Sequence, residues 1–397
     1  MTEIFTGNFT QQEPLPAAAI DAAMTVLNHG RLHRYNEAKG EVAEAAALEV
    51  EFATMMGAKY CLGVASGGYA MATALRALGV KPGDKVLTNA FTLAPVPGSI
   101  AAVGAVPVFV GVTEDLVIDL EDLAAKADQA DVLMLSHMRG HIVDMDRLMA
   151  LAKDCGLTVV EDCAHTMGAK WGDTWSGRFG AFGCYSTQTY KHMNSGEGGL
   201  LITDDEALMA KATMLSGSYM LYAKHLAGAS VAAFEDVRLE TPNISGRMDN
   251  LRAAILRPQL ANLDAQCKRW NERYDAVDDG LADTPGLTRI NRPDPEHFVA
   301  SSHQFLLLDW SDGAIRDVVA RCLARGVELK WFGAPDPVGF TSRYSSWTYA
   351  PSQPMPASDR VLRAVMDMRL PLTFSVEDCA QIARIIRSEV SAVFQSR

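Results

Sequence analysis

Short apolar runs alternate with helical stretches from Tyr60 to Glu161, and this alternation restricts the fold more than any other feature. Strands are predicted at 60–65, 85–88, 106–110, 131–135 and 158–161, with helices at 66–78, 93–103 and 145–155. Such alternation predicts an α/β fold with a mostly parallel sheet flanked by helices. Ligands of these sheets bind at the carboxyl ends of the strands. Five side chains directly follow predicted strands and could share that rim: Ser66, Phe91, His137, Asp162 and Ser186.

The sequence patterns outside residues 60–161 predict a second, smaller domain. Helices are expected at 16–28 and 41–56, and a long helical pattern runs from Asp249 to about Leu281, interrupted by Pro258. A strand at 304–308 and helices at 314–325 and 376–394 follow it. We therefore expect a large domain with an N-terminal arm at 1–255 and a C-terminal α+β domain at 256–397.

Composition excludes several partners. The chain has 397 residues, and 36 Lys and Arg against 48 Asp and Glu give a net charge of −12, which disfavours nucleic acid. The first residues lack the basic and apolar regions of a secretory signal. Seven scattered cysteines without a CxxC pair are typical of a reducing compartment, so we expect a cytoplasmic protein.

One long uncharged stretch raises the question of a membrane span. No charge occurs over the 28 residues from Val86 to Thr113, and a spanning helix needs only about 20. Three prolines and three glycines interrupt this stretch, so it reads as strand, buried helix and strand of a large core. We expect no membrane partner.

The stretch from Val159 to Thr203 carries the predicted chemistry. Asp162 follows a buried strand, and an acid in that position is poorly solvated unless a cation meets it. Lys191 lies between a strand-like run at 180–186 and the glycine cluster 196–199. A desolvated lysine loses its proton and becomes a nucleophile. These residues suggest a pyridoxal phosphate pocket, with Lys191 forming the Schiff base and Asp162 pairing with the pyridine nitrogen.

The same stretch resembles the DegT/DnrJ/EryC1/StrS family, sugar-aminotransferase-like enzymes of fold type I that use pyridoxal phosphate. The family motif has an acid, Gln or His three residues later, then a serine five residues before the lysine, and GEGG. Here these are Asp162, His165, Ser186, Lys191 and residues 196–199. The resemblance implies a fold type I aminotransferase-like large domain and a homodimer with shared active sites.

Further cofactor contacts are implied by position. The resemblance places a phosphate-binding turn at Ser66, Gly67 and Gly68, where the family has Thr in place of Gly68; a tight turn that needs glycine is the alternative. Ser186 and Gln188 would contact the phosphate or the lysine loop. In the family an aromatic residue stacks on the pyridine ring. Here Leu93 holds that position and Phe91 precedes it, and both are candidates.

A loop from Asn243 to Ile255 matches a family segment that crosses the dimer. In the family, an asparagine of this segment reaches the cofactor phosphate in the partner subunit. The resemblance implies that Asn243 or Ser245 takes that role in this chain. Arg247 could bind a substrate carboxylate or form a structural ion pair. A pocket lining from Tyr219, Tyr222, His225, Trp331 and Phe332 is a further expectation.

His165 is open to two interpretations. It could be a satisfied core residue, or it could face the cofactor ring as the resemblance implies. Pairs such as Cys163 with His165, or His137 with His141, lack the further ligands that a zinc site needs. We therefore expect no metal.

The resemblance implies an aminotransferase that moves nitrogen from glutamate or glutamine to a keto sugar, a cyclitol or a related carbonyl compound. A pyridoxal phosphate-dependent dehydratase or synthase of the 3-amino-5-hydroxybenzoate synthase kind is one alternative, because EDCAH is similar to that branch. A regulatory protein that binds the cofactor without turnover is the other alternative.

Overall fold

The computed structural model describes residues 3–339 and 343–397. Its helices are α1 Ala17–His29, α2 Glu44–Met56, α3 Gly67–Ala77, α4 Pro95–Ala102, α5 Leu120–Lys126, α6 Met145–Cys155, α7 Glu206–Ser216, α8 Asn250–Leu260, α9 Leu263–Gly280, α10 Asp312–Ala324, α11 Pro356–Ala364 and α12 Val376–Gln395. Its strands are β1 Tyr60–Val64, β2 Lys85–Asn89, β3 Val106–Val110, β4 Val132–Ser136, β5 Thr158–Asp162, β6 Lys170–Trp171, β7 Thr174–Trp175, β8 Phe182–Ser186, β9 Gly199–Thr203, β10 Thr288–Arg289, β11 Glu296–His297, β12 Ser302–Leu306, β13 Lys330–Trp331 and β14 Val365–Arg369.

A seven-stranded sheet forms the centre of the large domain, in the order β1-β9-β8-β5-β4-β2-β3. Strands β8, β5, β4, β2 and β3 pair in parallel, and β9 is antiparallel to both of its neighbours. Apolar helix faces cover both sides of this sheet, in two separate buried clusters. The predicted α/β architecture, a mostly parallel sheet flanked by helices, is therefore confirmed.

The strand directions determine where a site can form. Because β1 and β8 are both antiparallel to β9, β1 runs parallel to β8, β5 and β4. The carboxyl ends of these strands therefore lie along one edge. Ser66, Ser186 and Asp162 occur at or just after those ends, as the sequence predicted.

A four-stranded antiparallel sheet, β10-β12-β14-β13, forms the second region with α9, α10 and α12. Its core also contains Phe5 and Phe9 of the N-terminal arm, which meet Phe374 edge-on at ring distances of 5.0 and 4.9 Å. The arm that we assigned to the large domain thus begins on the smaller one. The expected boundary at 255/256 falls inside α8, which packs on α1 and α2.

One local expectation differs from the structure. The long helical pattern was expected to be interrupted at Pro258, but it breaks after Leu260, and Pro258 lies inside the last turn of α8. This difference moves no residue of the candidate site.

A helix that spans a membrane must be both long and apolar. Within residues 3–339 and 343–397, no helix combines the length and the apolar character needed to cross a membrane. The uncharged stretch from Val86 to Thr113 contains β2, α4 and β3.

Candidate active site

A cavity of about 750 Å³ opens at the carboxyl ends of the central strands. Nine of the predicted site residues line it: Ser66, Gly67, Gly68, Leu93, Asp162, His165, Ser186, Gln188 and Lys191. Phe91 and Asn243 are not among its lining residues. The lining also includes residues from the N-terminal arm and from the second region, so the cavity lies between the two sheets.

Lys191 projects into this cavity from the loop between β8 and β9. Its backbone N–H donates to the Gln188 carbonyl at 2.8 Å, and its Nζ lies 2.9 Å from Nε2 of His165. Burial, together with the positive charges of Arg139 and Arg369, lowers the pKa of the Lys191 amine to about 7, against the opposing effect of Asp162. The amine is therefore deprotonated far more readily than an ordinary lysine.

Asp162 ends β5 beneath the cavity. One carboxylate oxygen accepts from the Ser136 hydroxyl at 2.9 Å, and the other accepts from the Ala164 N–H at 3.1 Å. Burial raises the pKa of this carboxyl group, although these hydrogen bonds and Lys191 act in the opposite direction. A cationic ligand placed next to Asp162 would stabilise the carboxylate.

His165 is buried and lies beside Lys191. Burial and the neighbouring lysine hold the pKa of its imidazole well below the usual range. The ring is therefore neutral at physiological pH, and its hydrogen bond to Lys191 adds no charge to the cavity. Its position is at the site and not in a remote part of the core.

Glu161, next to Asp162, has a structural role. Its carboxylate accepts from the N–H groups of Gly177, Phe179 and Gly180, each at 2.8 Å, and contacts His137 Nε2 at 3.1 Å. This fully buried acid holds the loop before β8. Its side chain points away from Asp162, since successive residues of a strand face opposite sides.

The same acid belongs to the one group of possible metal ligands within the described ranges, His137, Glu161 and Cys163. Both oxygens of Glu161 already accept hydrogen bonds. Burial holds the pKa of the Cys163 thiol well above its usual range, so a thiolate is disfavoured there. The geometry gives no positive indication of a metal site.

The turn after β1 is tightly packed against β8 and β9. Ser66 caps α3 by accepting the Tyr69 N–H at 3.1 Å. A Cβ on Gly67 would lie 2.9 Å from Cβ of Ser186, and one on Gly199 would lie 2.5 Å from the Ser66 carbonyl carbon. Gly68 has no neighbour closer than 3.7 Å to such an atom. Glycine is thus sterically required at 67 and 199, but not at 68.

Leu93 and Phe91 were both candidates to pack on the pyridine ring of the cofactor, and the structure places them in different surroundings. Leu93 lines the cavity, whereas Phe91 is fully buried and packs edge-on against Phe332 at a ring distance of 5.0 Å. Phe91 thus belongs to a core cluster behind the site. This corrects the expectation that Phe91 faces the cavity. Phe332 is also buried and is not among the lining residues of the cavity.

The other residues that were expected to line the pocket also lie outside the cavity. Tyr222 stacks on Phe234 at 3.9 Å, and His225 lies 2.8 Å from the Tyr35 hydroxyl. Neither these two nor Tyr219 and Trp331 line the cavity. Tyr222 and Phe234 instead belong to the apolar cluster that includes buried residues of α3 and α7.

Asn243 is exposed and lies outside the cavity of its own protomer. Arg247 donates to the Gly217 carbonyl at 2.7 Å and to the Ser245 hydroxyl at 3.1 Å. These contacts fit a structural role for Arg247. The contribution of Asn243 to a partner's site stays a prediction.

Sequence reasoning missed several residues of the site. Arg139 and Arg369 line the cavity, as do His192 and arm residues 12–16. Arg139 lies two residues after the predicted rim residue His137, but no site role was predicted for it. Arg369 ends β14, a strand that was not predicted. The strand–loop pattern at 365–372 was the available signal for Arg369.

Known proteins resemble this chain in sequence and in fold. The model of the DegT/DnrJ/EryC1/StrS aminotransferase family matches residues 18–387. L-glutamine:2-deoxy-scyllo-inosose aminotransferase of Streptomyces lividus is 32% identical over 323 residues, covering 80% of this chain and 74% of that protein. A pleiotropic regulatory protein of Geobacillus stearothermophilus is 34% identical over 232 residues, 57% of each chain.

The matched stretches span only 57% to 66% of the length of several curated relatives. Among solved structures, 3-amino-5-hydroxybenzoic acid synthase is similar with a TM-score of 0.82 and 24% identity, covering 97% of this chain and 99% of that one. At this identity the likeness concerns the fold alone.

Proposed function

Because the chain belongs to the DegT/DnrJ/EryC1/StrS aminotransferase family, we propose that it is a pyridoxal phosphate-dependent aminotransferase with Lys191 as its catalytic amine. The observation that carries this proposal is a buried amine that lines the cavity 2.9 Å from Nε2 of His165. Its burial and its cationic neighbours lower its pKa to about 7. An amine of this kind is partly neutral at physiological pH and can attack a carbonyl carbon.

The residues present fit this cofactor by the chemistry of their donors. Ser66, Gly67 and Gly68 at the start of α3, with Ser186 and Gln188, offer hydroxyl and N–H groups for a phosphate. Asp162 offers an anion for a protonated ring nitrogen. His165 would lie beside the ring and Leu93 along one face. The bound cofactor would supply an electron sink for the substrate carbanion.

Lys191 would then hold and move the proton at the reacting carbon. At pH 7 a group with a pKa of about 7 is about half protonated, so its Nζ can both accept and return a proton. The neutral ring of His165 would orient Nζ through the 2.9 Å contact. Ser136 and the Ala164 N–H would keep the Asp162 carboxylate in position.

The proposed substrates are glutamate or glutamine as amino donor and a keto sugar, a cyclitol or a related carbonyl compound as acceptor. The name of the Streptomyces relative supports this choice. The cavity volume of about 750 Å³ lies within the range of small-molecule sites. Seven free cysteines within the described ranges fit the proposed cytoplasmic location.

We further propose a homodimer with shared active sites. Ile20, Met24 and Leu27 form an exposed apolar stripe on α1, each about half exposed. Asn243 is likewise exposed and free to meet a second copy. An isologous dimer that covers the stripe would bury these apolar side chains.

The test combines the protein with pyridoxal phosphate and follows the visible absorbance of the bound cofactor while glutamate or glutamine is added. An aminotransferase should lose the band and form one keto acid per site, and an acceptor should restore it. Lys191→Ala should abolish both changes, whereas exposed Lys153→Ala should not. A band that survives every amino donor would favour the regulatory alternative. Release of water from the acceptor without keto acid would favour the dehydratase.

A further inference from the structure

The loop that carries Lys191 has a hydrogen-bonded base and a projecting tip. The base continues the pairing of β8 with β9: the Thr187 N–H donates to the Gly198 carbonyl at 2.9 Å, and the Ser195 N–H donates to the Thr187 carbonyl at 2.9 Å. Residues 190–194 form the tip, which we call the lysine tip. The base determines where the tip begins and ends. Contacts with other elements must determine where Lys191 lies.

Gln259 of α8 binds the last residue of the lysine tip from outside the loop. Its Oε1 accepts the Asn194 N–H at 2.8 Å, and its Nε2 donates to the Asn194 carbonyl at 2.8 Å. The same Nε2 donates to the Ile255 carbonyl, one helical turn earlier, at 2.8 Å. The Gln259 side chain is only 4% exposed. Its amide therefore joins the backbone of the tip to the backbone of the helix.

Two side chains of the lysine tip also contact or pack with residues of α8 and α9. The rings of His192 and Trp270 lie 5.0 Å apart, and both residues line the cavity. Burial lowers the pKa of the His192 imidazole to about 3, so its ring is neutral at physiological pH. Met193 is buried in the apolar cluster that contains Leu260 and Trp270. These two helices thus receive the tip on the side after Lys191.

The contact between Gln259 and Asn194 restrains the tip more strictly than this packing does. Apolar packing has no preferred direction, whereas hydrogen bonds weaken steeply when their angles change. Two such bonds to one residue restrict both the position and the rotation of its backbone. Asn194 lies three residues after Lys191, so its placement limits where the amine can lie.

We propose that Gln259 is a positioning residue for the reaction, which keeps Nζ of Lys191 in the cavity beside His165 by binding both backbone polar groups of Asn194. This inference rests on the proposed function and deepens it. Reacting atoms must lie about 3–3.5 Å apart, and a misplacement of about 1 Å can cost about a hundredfold in rate. Gln259 lines the cavity, but its Nε2 already donates to two carbonyl groups of the protein. Its effect on the reaction therefore passes through the lysine tip.

The pKa of Lys191 reports on this placement without any cofactor. Burial is the largest cause of its value of about 7; Arg139 and Arg369 also lower it, and Asp162 raises it. His165 is neutral and adds no charge. A displaced tip would return the amine to water, and its pKa would rise toward that of an ordinary lysine. A substitution that only destabilises the fold leaves this pKa unchanged in the folded protein.

The test measures this pKa in the cofactor-free protein by brief acetylation with acetic anhydride over a pH series, with peptide mass analysis of Lys191. Gln259→Met keeps the approximate length of the side chain and removes its amide. The pKa of Lys191 should rise by at least about one unit in this variant, because the amine regains water. Capture of pyridoxal phosphate at pH 7, trapped on Lys191 with borohydride, should slow at least about fivefold, because less of the amine is neutral.

A matched control is Gln381→Met, the same substitution at another helical glutamine. Gln381 of α12 donates to the Ile4 carbonyl at 3.3 Å and is not among the lining residues of the cavity. Its variant should give the wild-type profile for Lys191. If Gln259→Met does not fold, Gln259→Asn serves as the second variant. It keeps the amide but lacks one methylene of the reach to Asn194, so it should also raise the pKa of Lys191.

The proposal is overturned if folded Gln259→Met or Gln259→Asn protein acetylates Lys191 with the wild-type pH profile, whatever its free energy of unfolding. It is also overturned if Gln381→Met shifts the pKa of Lys191 equally, because the effect would then not depend on the contact with the tip. Failure of the wild type to capture the cofactor on Lys191 would instead refute the proposed function. The acetylation profile, which needs no cofactor, would still decide whether Gln259 positions the amine.

Discussion

Nε2 of His165 lies 2.9 Å from Nζ of Lys191, and this contact joins the segment after β5 to the loop between β8 and β9. Both groups have a pKa below their usual values, chiefly because they are buried. The pair therefore carries less charge at neutral pH than a histidine and a lysine in water would. A reactive neutral amine is maintained by desolvation and by neighbouring cations.

The first prediction concerns the pH dependence of this amine. Only the neutral amine attacks a carbonyl, so the rate of cofactor capture should rise with pH through about 7. An ordinary lysine would show this rise near about 10.4. Stopped-flow absorbance of the cofactor-free protein mixed with pyridoxal phosphate would measure it. A midpoint above about 9 would mean that the amine is not desolvated.

The second prediction concerns the charge of Asp162. Asp162→Asn keeps the shape of the side chain but removes the anion that would keep the ring nitrogen protonated. The half-reaction with the amino donor should slow by at least about a hundredfold, a barrier rise of about 3 kcal/mol, and the cofactor should bind more weakly. Rapid-mixing spectra would measure both quantities. A near-normal rate would place the partner of the ring nitrogen elsewhere.

The third prediction concerns Glu161, which lies next to Asp162 and is expected to contribute to the stability of the fold and not to the reaction. Glu161→Ala leaves three backbone N–H groups without their acceptor inside the protein. We expect a loss of roughly 3–9 kcal/mol in the free energy of unfolding, from about 1–3 kcal/mol for each of the three unsatisfied groups. Chemical denaturation would measure it.

The control for this stability measurement is Glu235→Ala. Glu235 is exposed and forms a surface ion pair with nearby Arg238, so its loss should change stability by no more than about 1 kcal/mol. Equal effects of the two substitutions would contradict the structural role of Glu161.

The fourth prediction concerns the shared site. Lys191→Ala and Asn243→Ala subunits should each be inactive alone, because one lacks the amine and the other lacks the contact to the partner's phosphate. Mixed dimers contain one site with both residues intact, so some activity should return on subunit exchange. Labelled subunits would verify the exchange. Failure to recover activity in verified mixed dimers would exclude the contribution of Asn243 across the interface.

The sequence predicted those parts of the fold that depend on local patterns. The apolar run at 158–161 and the acid after it place Asp162 at the edge of a buried strand, and the glycine cluster marks the turn before β9. The predicted sheet and nine cavity residues followed from such signals together with the family resemblance. Periodicity also located most helices to within a few residues.

Contacts between segments that are distant in the sequence could not be predicted from local patterns. Phe91 lies in the interior because Phe332, far along the chain, packs against it. Arg139 belongs to the cavity because β14 brings Asp367 to its guanidinium. The N-terminal arm reaches the site because Phe5 and Phe9 anchor it on the second core. Each depends on a tertiary partner that no local pattern specifies.

The most direct test of the account is to find which lysine carries the cofactor. Borohydride reduces an imine to a stable amine, so treatment of the cofactor-bound protein should fix the cofactor covalently to its lysine. Peptide mass analysis should then find the modification on Lys191 in close to one copy per chain, and none on Lys191→Ala. Labelling of another lysine, or undiminished labelling of the Lys191→Ala protein, would contradict the assignment on which the proposed function rests.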